Sequence, residues 1–403
     1  MRILFLASTL PHPPVDGWRI RVHHLLRALA SEHDVTLLSF RALRDPDSAV
    51  AALGRLCDRA QVVQRNQRYS ARALLLGLVG RLPFSVLNYR VPAMHAKLAE
   101  IITSTRPDII QVEDIHMAQY VLPLRGFPLV LDMHNIESLL LLRYADRQRD
   151  PLRKVYARLT AAKLGRYERA AAPAFARVLT CSDLDARHIT DRLGYSRVAV
   201  IPNGVDAGCF APRPGREEPD TLVFVGRMDY VANHDAMVFF CRSVLPRVWR
   251  SIPKARMYVV GHEPSRAIQR LARDPRIVVT GSVPDVAEFV ARAAVFVAPL
   301  RYGSGTRLKI LEAMAMARAV VATPLGCEGI EARPGEEIVV AESPEDQARA
   351  LVELLRDRGR REAIGQRGRE LVLRKYTWAA IGSKLLELYR ELGDARVAAR
   401  RQA

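Results

Sequence analysis

The sequence has few cysteines, and their arrangement excludes two kinds of site. Its 403 residues include five cysteines, an odd number, widely spaced and without a Cys-x-x-Cys pair. Neither a disulfide framework nor a zinc site of paired cysteines is therefore indicated. Free cysteines persist in a reducing compartment, so the cytoplasm is the expected location.

Long hydrophobic runs are missing as well. The longest uncharged apolar stretches, such as 73–80, fall far short of the roughly 20 residues that span a bilayer. The apolar start at 1–8 is too short for a secretory signal, and Pro11, Pro13 and Pro14 follow it at once. We interpret it as a buried strand and predict no transmembrane segment.

Negative charge is in deficit. The chain carries 61 Lys and Arg against 43 Asp and Glu, which gives a net charge of +18. This balance favours an anionic partner, namely nucleic acid, acidic lipid or a phosphorylated substrate, although a GC-rich genome also produces an arginine-rich composition. No helix-turn-helix, RRM or zinc-finger pattern is present, so nucleic acid is not the predicted partner.

Strand and helix patterns alternate along most of the sequence. Apolar runs, beginning with 2–8 and 34–40, alternate with helical patterns such as 18–31 and 47–60. This rhythm predicts an α/β fold of parallel sheets with helices on both faces.

The alternation of strand and helix patterns is interrupted once and then resumes, which predicts two domains. A proline-rich, charged passage at 211–219 interrupts it, and 403 residues are too many for one core. We expect Rossmann-like domains at 1–205 and 221–376, a linker at 206–220, and a C-terminal helix with a polar tail at 377–403.

Polar residues follow the predicted strands of the first domain, where open parallel sheets bind ligands. Asp16 and Gly17 predict a turn, at which glycine lets the backbone approach a ligand closely. The alternative is an ordinary Asp-Gly turn without a ligand. The turn lacks Gly-x-Gly-x-x-Gly, which argues against a dinucleotide oxidoreductase. His134 can donate to a hydroxyl or a phosphate, with a structural histidine as the alternative. Glu113 is a candidate acceptor base, or a solvated carboxylate.

The stretch 298–316 predicts an anion site. A strand leads through the glycine-rich loop 301–305 into a helix that Thr306 can cap. Arg307 and Lys309 lie in the first helical turn, where acidic residues are normally preferred. Two cations and the backbone N–H groups of the helix start together favour a diphosphate. The alternative is an exposed ion pair between Lys309 and Glu312 on an ordinary helix.

This stretch resembles the signature of GT-B glycosyltransferases of the GT4 type. Glu312-Ala313-Met314-Ala315 matches the second half of a Glu-x7-Glu motif and its Ala-Met-Ala continuation, whereas Ser304 stands where the first Glu is usual. The resemblance implies that Glu312 binds the ribose of a nucleotide sugar. The expected donor-binding residues are Gly17, Arg227, Ser304, Gly305, Thr306, Arg307, Lys309 and Glu312. The expected catalytic residues are His134, Arg227 and Lys309, with Asp16 and Glu113 on the acceptor side.

The second domain departs from the family at one cation. Arg227 follows its first strand and can pair with a diphosphate through a planar fork. Related enzymes carry a Lys six residues later, and this chain has Asn233 there. Arg307 and Lys309 are expected to share the task of the missing cation.

The resemblance also implies a fold and a reaction. The fold is GT-B, two Rossmann-like parallel-sheet domains facing a central cleft, with the acceptor on the N-terminal domain, the nucleotide sugar on the C-terminal one, and the last helix crossing back to the first. The reaction transfers a sugar, with retention, from a nucleotide-diphosphate donor to a glycan or lipid-linked acceptor. Within the family, the motif resembles transferases of bacterial exopolysaccharide and PEP-CTERM gene clusters.

No metal or other cofactor is predicted. Fixed cations and a helix dipole can stabilise the departing diphosphate without a metal. Two Asp-x-Asp sequences, at 45–47 and 183–185, each lie at a predicted helix start, where acidic residues are favoured in any case.

Two basic segments with apolar runs, 70–97 and 139–169, predict contact with an anionic membrane surface. The protein would then be peripheral at the inner membrane. Buried helices with solvated arginines are the alternative.

Two rival functions explain part of the pattern. A GT-B nucleotide-sugar epimerase would use similar phosphate contacts but needs carboxylates around the sugar, which Ser304 does not supply. A non-catalytic basic protein that binds membrane or nucleic acid would explain the net charge but not the polar residues at strand ends.

Overall fold

The protein forms two compact units. The computed structural model describes residues 1–43, 45–65, 77, 79–148, 150–303 and 306–402, with side chains up to 396. The first unit comprises Met1–Pro202 together with Ile381–Ala403, and the second comprises Asn203–Ala380.

The described part of the first unit contains a parallel sheet of seven strands in the order β3-β2-β1-β4-β5-β6-β7. The strands are β1 Arg2–Ala7, β2 Asp34–Arg41, β3 Arg59–Gln64, β4 Ile109–Glu113, β5 Leu129–Met133, β6 Arg177–Thr180 and β7 Val198–Val200. Every residue of β4 and β5 is buried. Continuous apolar runs of this kind are typical of strands covered by helices on both faces.

The helices of the first unit begin at residues that favour a helix start. Asp16 accepts a hydrogen bond from the backbone N–H of Arg19, and Ser182 accepts one from that of Asp185. The described helices are Gly17–Ala30, Asp47–Leu53, Phe84–Leu87, Pro92–Thr105, Ala118–Val121, Glu137–Arg147, Pro151–Ala171 and Asp183–His188.

The described part of the second unit contains six parallel strands in the order β10-β9-β8-β11-β12-β13. They are β8 Thr221–Val225, β9 Arg256–Val260, β10 Ile277–Gly281, β11 Val295–Ala298, β12 Ala319–Ala322 and β13 Val339–Val340. Its described helices are Val231–Phe239, Leu245–Ser251, Arg266–Gln269, Val286–Arg292, Leu308–Ala315, Pro344–Arg356 and Arg358–Lys375. Both sheets reverse their order beside the first strand, as in Rossmann-like folds, so the predicted fold class is confirmed.

One predicted helix is wrong at its C-terminal end. The helix expected at 47–60 stops at Leu53, and β3 begins at Arg59. Among the described strands, β3 pairs only with β2, and it is only partly buried. An edge strand of this kind carries a short and mixed apolar pattern, which resembled the end of a helix.

The passage expected as a linker, 206–220, lies within the second unit. Glu217 pairs with Arg318 and Arg361 at 2.5 and 2.6 Å, and Arg213 pairs with Asp285 at 2.7 Å. These ion pairs attach the passage to other residues of that unit, and the boundary falls earlier, between Pro202 and Asn203.

The last helix, Trp378–Gln402, belongs to the first unit from Ile381 onward. Its Tyr389 hydroxyl donates to the side-chain oxygen of Gln111 on β4, and Leu385 is fully buried. Among the described helices, none is both long enough and apolar enough to cross a membrane.

Candidate functional site

Two neighbouring strands of the first unit bring charged residues together at their carboxyl ends. His134 follows β5, and Glu113 ends the adjacent strand β4. The His134 Nε2 atom lies 3.3 Å from Glu113 Oε2 and 3.4 Å from Asp114 Oδ1. Its Nδ1 atom lies 3.6 Å from Asp132 Oδ2. Carboxylate oxygens of Glu113, Asp114 and Asp132 therefore surround the imidazole of His134.

Asp114 is held by two side chains from the first strand and the helix after it. Ser8, which follows β1, donates its hydroxyl to Asp114 Oδ2 at 2.5 Å, and the Trp18 indole donates to the same oxygen at 3.0 Å. The Trp18 and His134 rings meet edge to face with centroids 5.8 Å apart. Helix Gly17–Ala30 thus takes part in the site through Trp18.

Sequence reasoning missed Arg21 and Asp132. Both guanidinium and carboxylate are buried, and they form a two-point contact at 2.9 and 3.0 Å. Burial alone would lower the pKa of Arg21, but Asp132 raises it above its usual value. Arg21 also donates to the carbonyls of Ile201 and Pro202. The available signal was a lone Asp inside the apolar run of β5, which requires a buried partner.

Glu113, Asp132 and His134 place one ligand-type atom each within 4.8 Å of one another. These residue types can bind a metal ion, but Arg21 occupies both oxygens of Asp132. A guanidinium at this distance repels a cation and competes for the same lone pairs. The three residues therefore fit a histidine held between carboxylates better than they fit the ligands of a metal ion.

The remaining predicted residues of the first unit have clear surroundings. Glu113 is fully buried and accepts from Gln111 Nε2 at 2.5 Å, so the alternative of a solvated carboxylate is wrong. Burial, followed by the charge of Asp132, raises the pKa of Glu113 well above its usual range. Asp16 and Gly17 form the start of a helix, with Asp16 as its N-cap.

In the second unit, the ammonium group of Lys309 reaches the turn after β8. It donates to Asn233 Oδ1 at 2.7 Å, and Asn233 Nδ2 donates to the carbonyl of Arg227 at 2.8 Å. It also lies 4.2 Å from the centre of the Phe224 ring. Lys309 therefore places its charge beside Asn233.

Burial by surrounding protein atoms shifts the pKa values of Lys309 and Glu312. Loss of solvation, with a smaller effect of Arg307, lowers the pKa of Lys309 to about 7. Loss of solvation raises the pKa of Glu312 to about 7, against the opposing effect of Lys309. Two groups that change charge near neutral pH are typical of a binding or catalytic site. The alternative of a simple exposed ion pair does not account for these shifts.

Arg227 and Arg307 lie close to this turn. The Arg227 guanidinium contacts Asp229 at 3.1 and 2.5 Å and is about half exposed, which keeps it accessible to a ligand. Gly303 has a φ of 137°, and a Cβ there would lie 2.5 Å from the Arg307 guanidinium. Only glycine fits beside Arg307 in this backbone conformation. Ser304 and Gly305 lie outside the described residues.

Thr306 is not the helix cap, contrary to the sequence prediction. Helix Leu308–Ala315 has Arg307 at its N-cap position. Thr306 is buried, and its carbonyl accepts a hydrogen bond from Asn203 Nδ2 at 3.2 Å. The helix therefore starts two residues after Thr306, with Lys309 in its first turn.

Two family models match the chain. The model described as Glycosyltransferase Family 4 matches residues 15–208, and that described as Glycosyl transferases group 1 matches residues 219–357. A phosphatidyl-myo-inositol mannosyltransferase of Mycobacterium tuberculosis is 31% identical over 231 residues, which cover 52% of this chain and 58% of that relative. The match thus spans somewhat more than half of the relative's length.

Solved structures share the fold of the whole chain. Sucrose-phosphate synthase from Thermosynechococcus elongatus has a TM-score of 0.73 at 19% identity, covering 98% of this chain and 100% of that one. Anabaena Alr3699/HepE, in complex with UDP and glucose, has a TM-score of 0.69 at 14% identity, covering 97% and 100%. At such identities the likeness establishes the fold alone.

Proposed function

The chain belongs to the family 4 glycosyltransferases, and we propose that it moves a sugar from a nucleotide-diphosphate donor to a glycan or lipid-linked acceptor hydroxyl. The anomeric configuration is retained, and fixed cations, with no metal ion, stabilise the leaving diphosphate. The reaction serves bacterial exopolysaccharide or other cell-surface glycan synthesis beside the inner membrane.

The observation that carries this proposal is the partly desolvated ammonium group of Lys309 beside the turn after β8. A cation that has lost part of its hydration gains free energy from an anion that replaces the water. Negative charge grows on the diphosphate as the bond to the sugar breaks. Lys309, Arg307 and the start of helix Leu308–Ala315 are positioned to stabilise that charge.

The other site residues have separate roles in this proposal. Glu312 accepts hydrogen bonds from the donor ribose, and Arg227 exchanges Asp229 for a diphosphate oxygen. His134 donates to a hydroxyl or phosphate oxygen from the first unit, with its imidazole oriented by the carboxylates around it. The mannosyltransferase relative is named for an inositol phospholipid, which supports a lipid-linked acceptor.

Nucleotide-sugar binding tests the proposal directly. We expect one member of a panel of UDP-, GDP- and ADP-sugars to raise the melting temperature, with no change on adding EDTA. Release of free nucleotide should follow when an acceptor is added. Lys309→Met should weaken donor binding at least about tenfold, which corresponds to about 1.4 kcal/mol. Lys254→Met is the matched control, because Lys254 is 83% exposed in the same unit.

Three outcomes would contradict this assignment. Binding without turnover for every acceptor would indicate a non-catalytic protein, and displacement of nucleotide by single-stranded DNA would indicate a nucleic-acid binder. Loss of binding in EDTA would show that a metal ion is required.

A further inference from the structure

Two consecutive helices of the first unit carry an exposed apolar row. In helix Pro151–Ala171, Leu152 is 81% exposed, Val155 56% and Leu159 53%. Tyr156 in the same helix and Leu142 in the preceding one, Glu137–Arg147, are also exposed. Their spacing places Leu152, Val155 and Leu159 on one side of the helix. The buried residues of this helix, Ala157, Ala161 and Leu164 among them, lie on the opposite side.

The apolar row lies on the outer side of helix Pro151–Ala171, whereas the side of that helix that faces the core is formed by other residues. The two helices pack against each other, and Ala161 and Leu164 of helix Pro151–Ala171 are buried. A shallow cavity of about 390 Å³, lined by Leu141, Tyr144 and Tyr156 among others, adjoins the row. Contiguous exposed apolar groups on a protein surface mark an interaction site.

Positive charge surrounds the row. Arg153 is 72% exposed and Arg158 54%, and Arg166 and Arg169 are exposed on the next two turns. Asp146 and Asp150 pair with Arg158 and Arg153. The described basic residues of the two helices are Arg143, Arg147, Arg153, Lys154, Arg158, Lys163, Arg166 and Arg169.

We propose that this surface, the outward face of helix Pro151–Ala171, docks on a bilayer that contains anionic lipid. An apolar row bordered by arginine matches the boundary between acyl chains and anionic headgroups. A protein partner with an apolar surface would gain nothing from the arginines. The proposal goes beyond sugar transfer, because it assigns a membrane contact to residues of the first unit that are separate from the residues around His134 and Lys309.

Vesicle co-sedimentation tests the docking surface. The full chain should bind vesicles of phosphatidylcholine with phosphatidylglycerol, bind pure phosphatidylcholine more weakly, and lose affinity for the anionic vesicles at high salt. The combined variant Leu152→Ser, Val155→Ser and Leu159→Ser should bind at least about tenfold more weakly, since three apolar side chains lose their burial.

A charge variant and a matched control separate the two contributions. The variant Arg158→Gln, Arg166→Gln and Arg169→Gln should lose roughly fivefold per arginine on anionic vesicles. The combined Leu184→Ser and Leu373→Ser variant should bind as the unsubstituted chain does, because Leu184 and Leu373 are also exposed, at 46% and 43%, but lie outside this surface. All variants should keep their circular dichroism spectrum and their nucleotide-sugar binding.

Several results would overturn the docking proposal and leave the proposed transferase activity intact. Vesicle binding by the serine variant equal to that of the unsubstituted chain would do so, as would failure of the unsubstituted chain to bind anionic vesicles. Light scattering that shows a dimer, which the serine variant converts to a monomer without any vesicle binding, would identify the row as a self-association face.

Discussion

Lys309 changes charge near neutral pH because protein atoms replace part of its water. Its pKa of about 7 means that the cation is present below that pH and is lost above it. An anionic donor stabilises the charged form, so binding is coupled to proton uptake. The residue thus links affinity for a diphosphate to pH over a range where the diphosphate of a nucleotide sugar does not titrate.

Donor affinity should therefore fall as pH rises through about 7. We expect a decline of up to about tenfold per pH unit in isothermal titration between about pH 6 and about pH 8.5. Lys309→Met should bind weakly at every pH. The depressed pKa of Lys309 contributes folding stability that rises with pH above about 7, because the unfolded lysine holds its proton more tightly. Deprotonation of Lys309 therefore does not itself destabilise the fold at high pH, and a flat affinity profile for the unsubstituted chain would contradict the role of Lys309.

Arg21 should be among the most sensitive positions for stability. Arg21→Met leaves Asp132 buried without its two-point partner, and we expect a loss of about 3–5 kcal/mol in the first unit's urea transition. Arg390→Met is the control, because Arg390 pairs with Glu32 at the surface and should cost less than about 1 kcal/mol. An equal loss in the free energy of unfolding for the two variants would show that the buried pair of Arg21 and Asp132 stabilises the fold no more than a surface pair does.

At the scale of elements, β8 and helix Leu308–Ala315 meet at Gly226. A Cβ at Gly226 would lie 2.6 Å from Lys309 Nζ and 2.7 Å from Asn233 Nδ2, both ends of flexible side chains. Gly226→Ala should therefore fold but displace the ammonium group, and the transfer rate should fall about 10- to 100-fold. Gly359→Ala is the control, since its Cβ meets only ordinary contacts. An unchanged transfer rate in Gly226→Ala would show that the position of the Lys309 ammonium group does not affect the reaction.

Local pattern was enough to predict most elements but not their long-range partners. Runs such as β4 and β5 are continuous and apolar, so their strands and their parallel arrangement follow from the sequence. The pairing of Arg21 with Asp132 joins residues 111 positions apart, and no periodicity encodes it. The cap of helix Leu308–Ala315 was misassigned, and the carbonyl of Thr306 accepts a hydrogen bond from Asn203, a residue 103 positions earlier that local pattern does not reveal.

At the scale of the whole molecule, the two units differ in how the chain forms them. The second unit is one continuous stretch, Asn203–Ala380, whereas the first needs Ile381–Ala403 from the end of the chain. Within that segment, Leu385 and Tyr389 are fully buried and Leu392 is nearly so. Tyr389 also supplies a hydrogen bond to Gln111, which in turn donates to Glu113.

Removal of the last helix should therefore unfold one unit and spare the other. Each buried leucine or tyrosine lost costs about 2–5 kcal/mol, and three such losses are comparable to the entire stability of a domain, about 5–15 kcal/mol. A chain that ends at residue 380 should show hydrogen-exchange protection in 203–380 and little in 1–202. The isolated stretch 203–380 should unfold cooperatively in calorimetry. Full protection of β4 and β5 in the shortened chain would show that the helix is dispensable, since these strands lie at the centre of the first sheet.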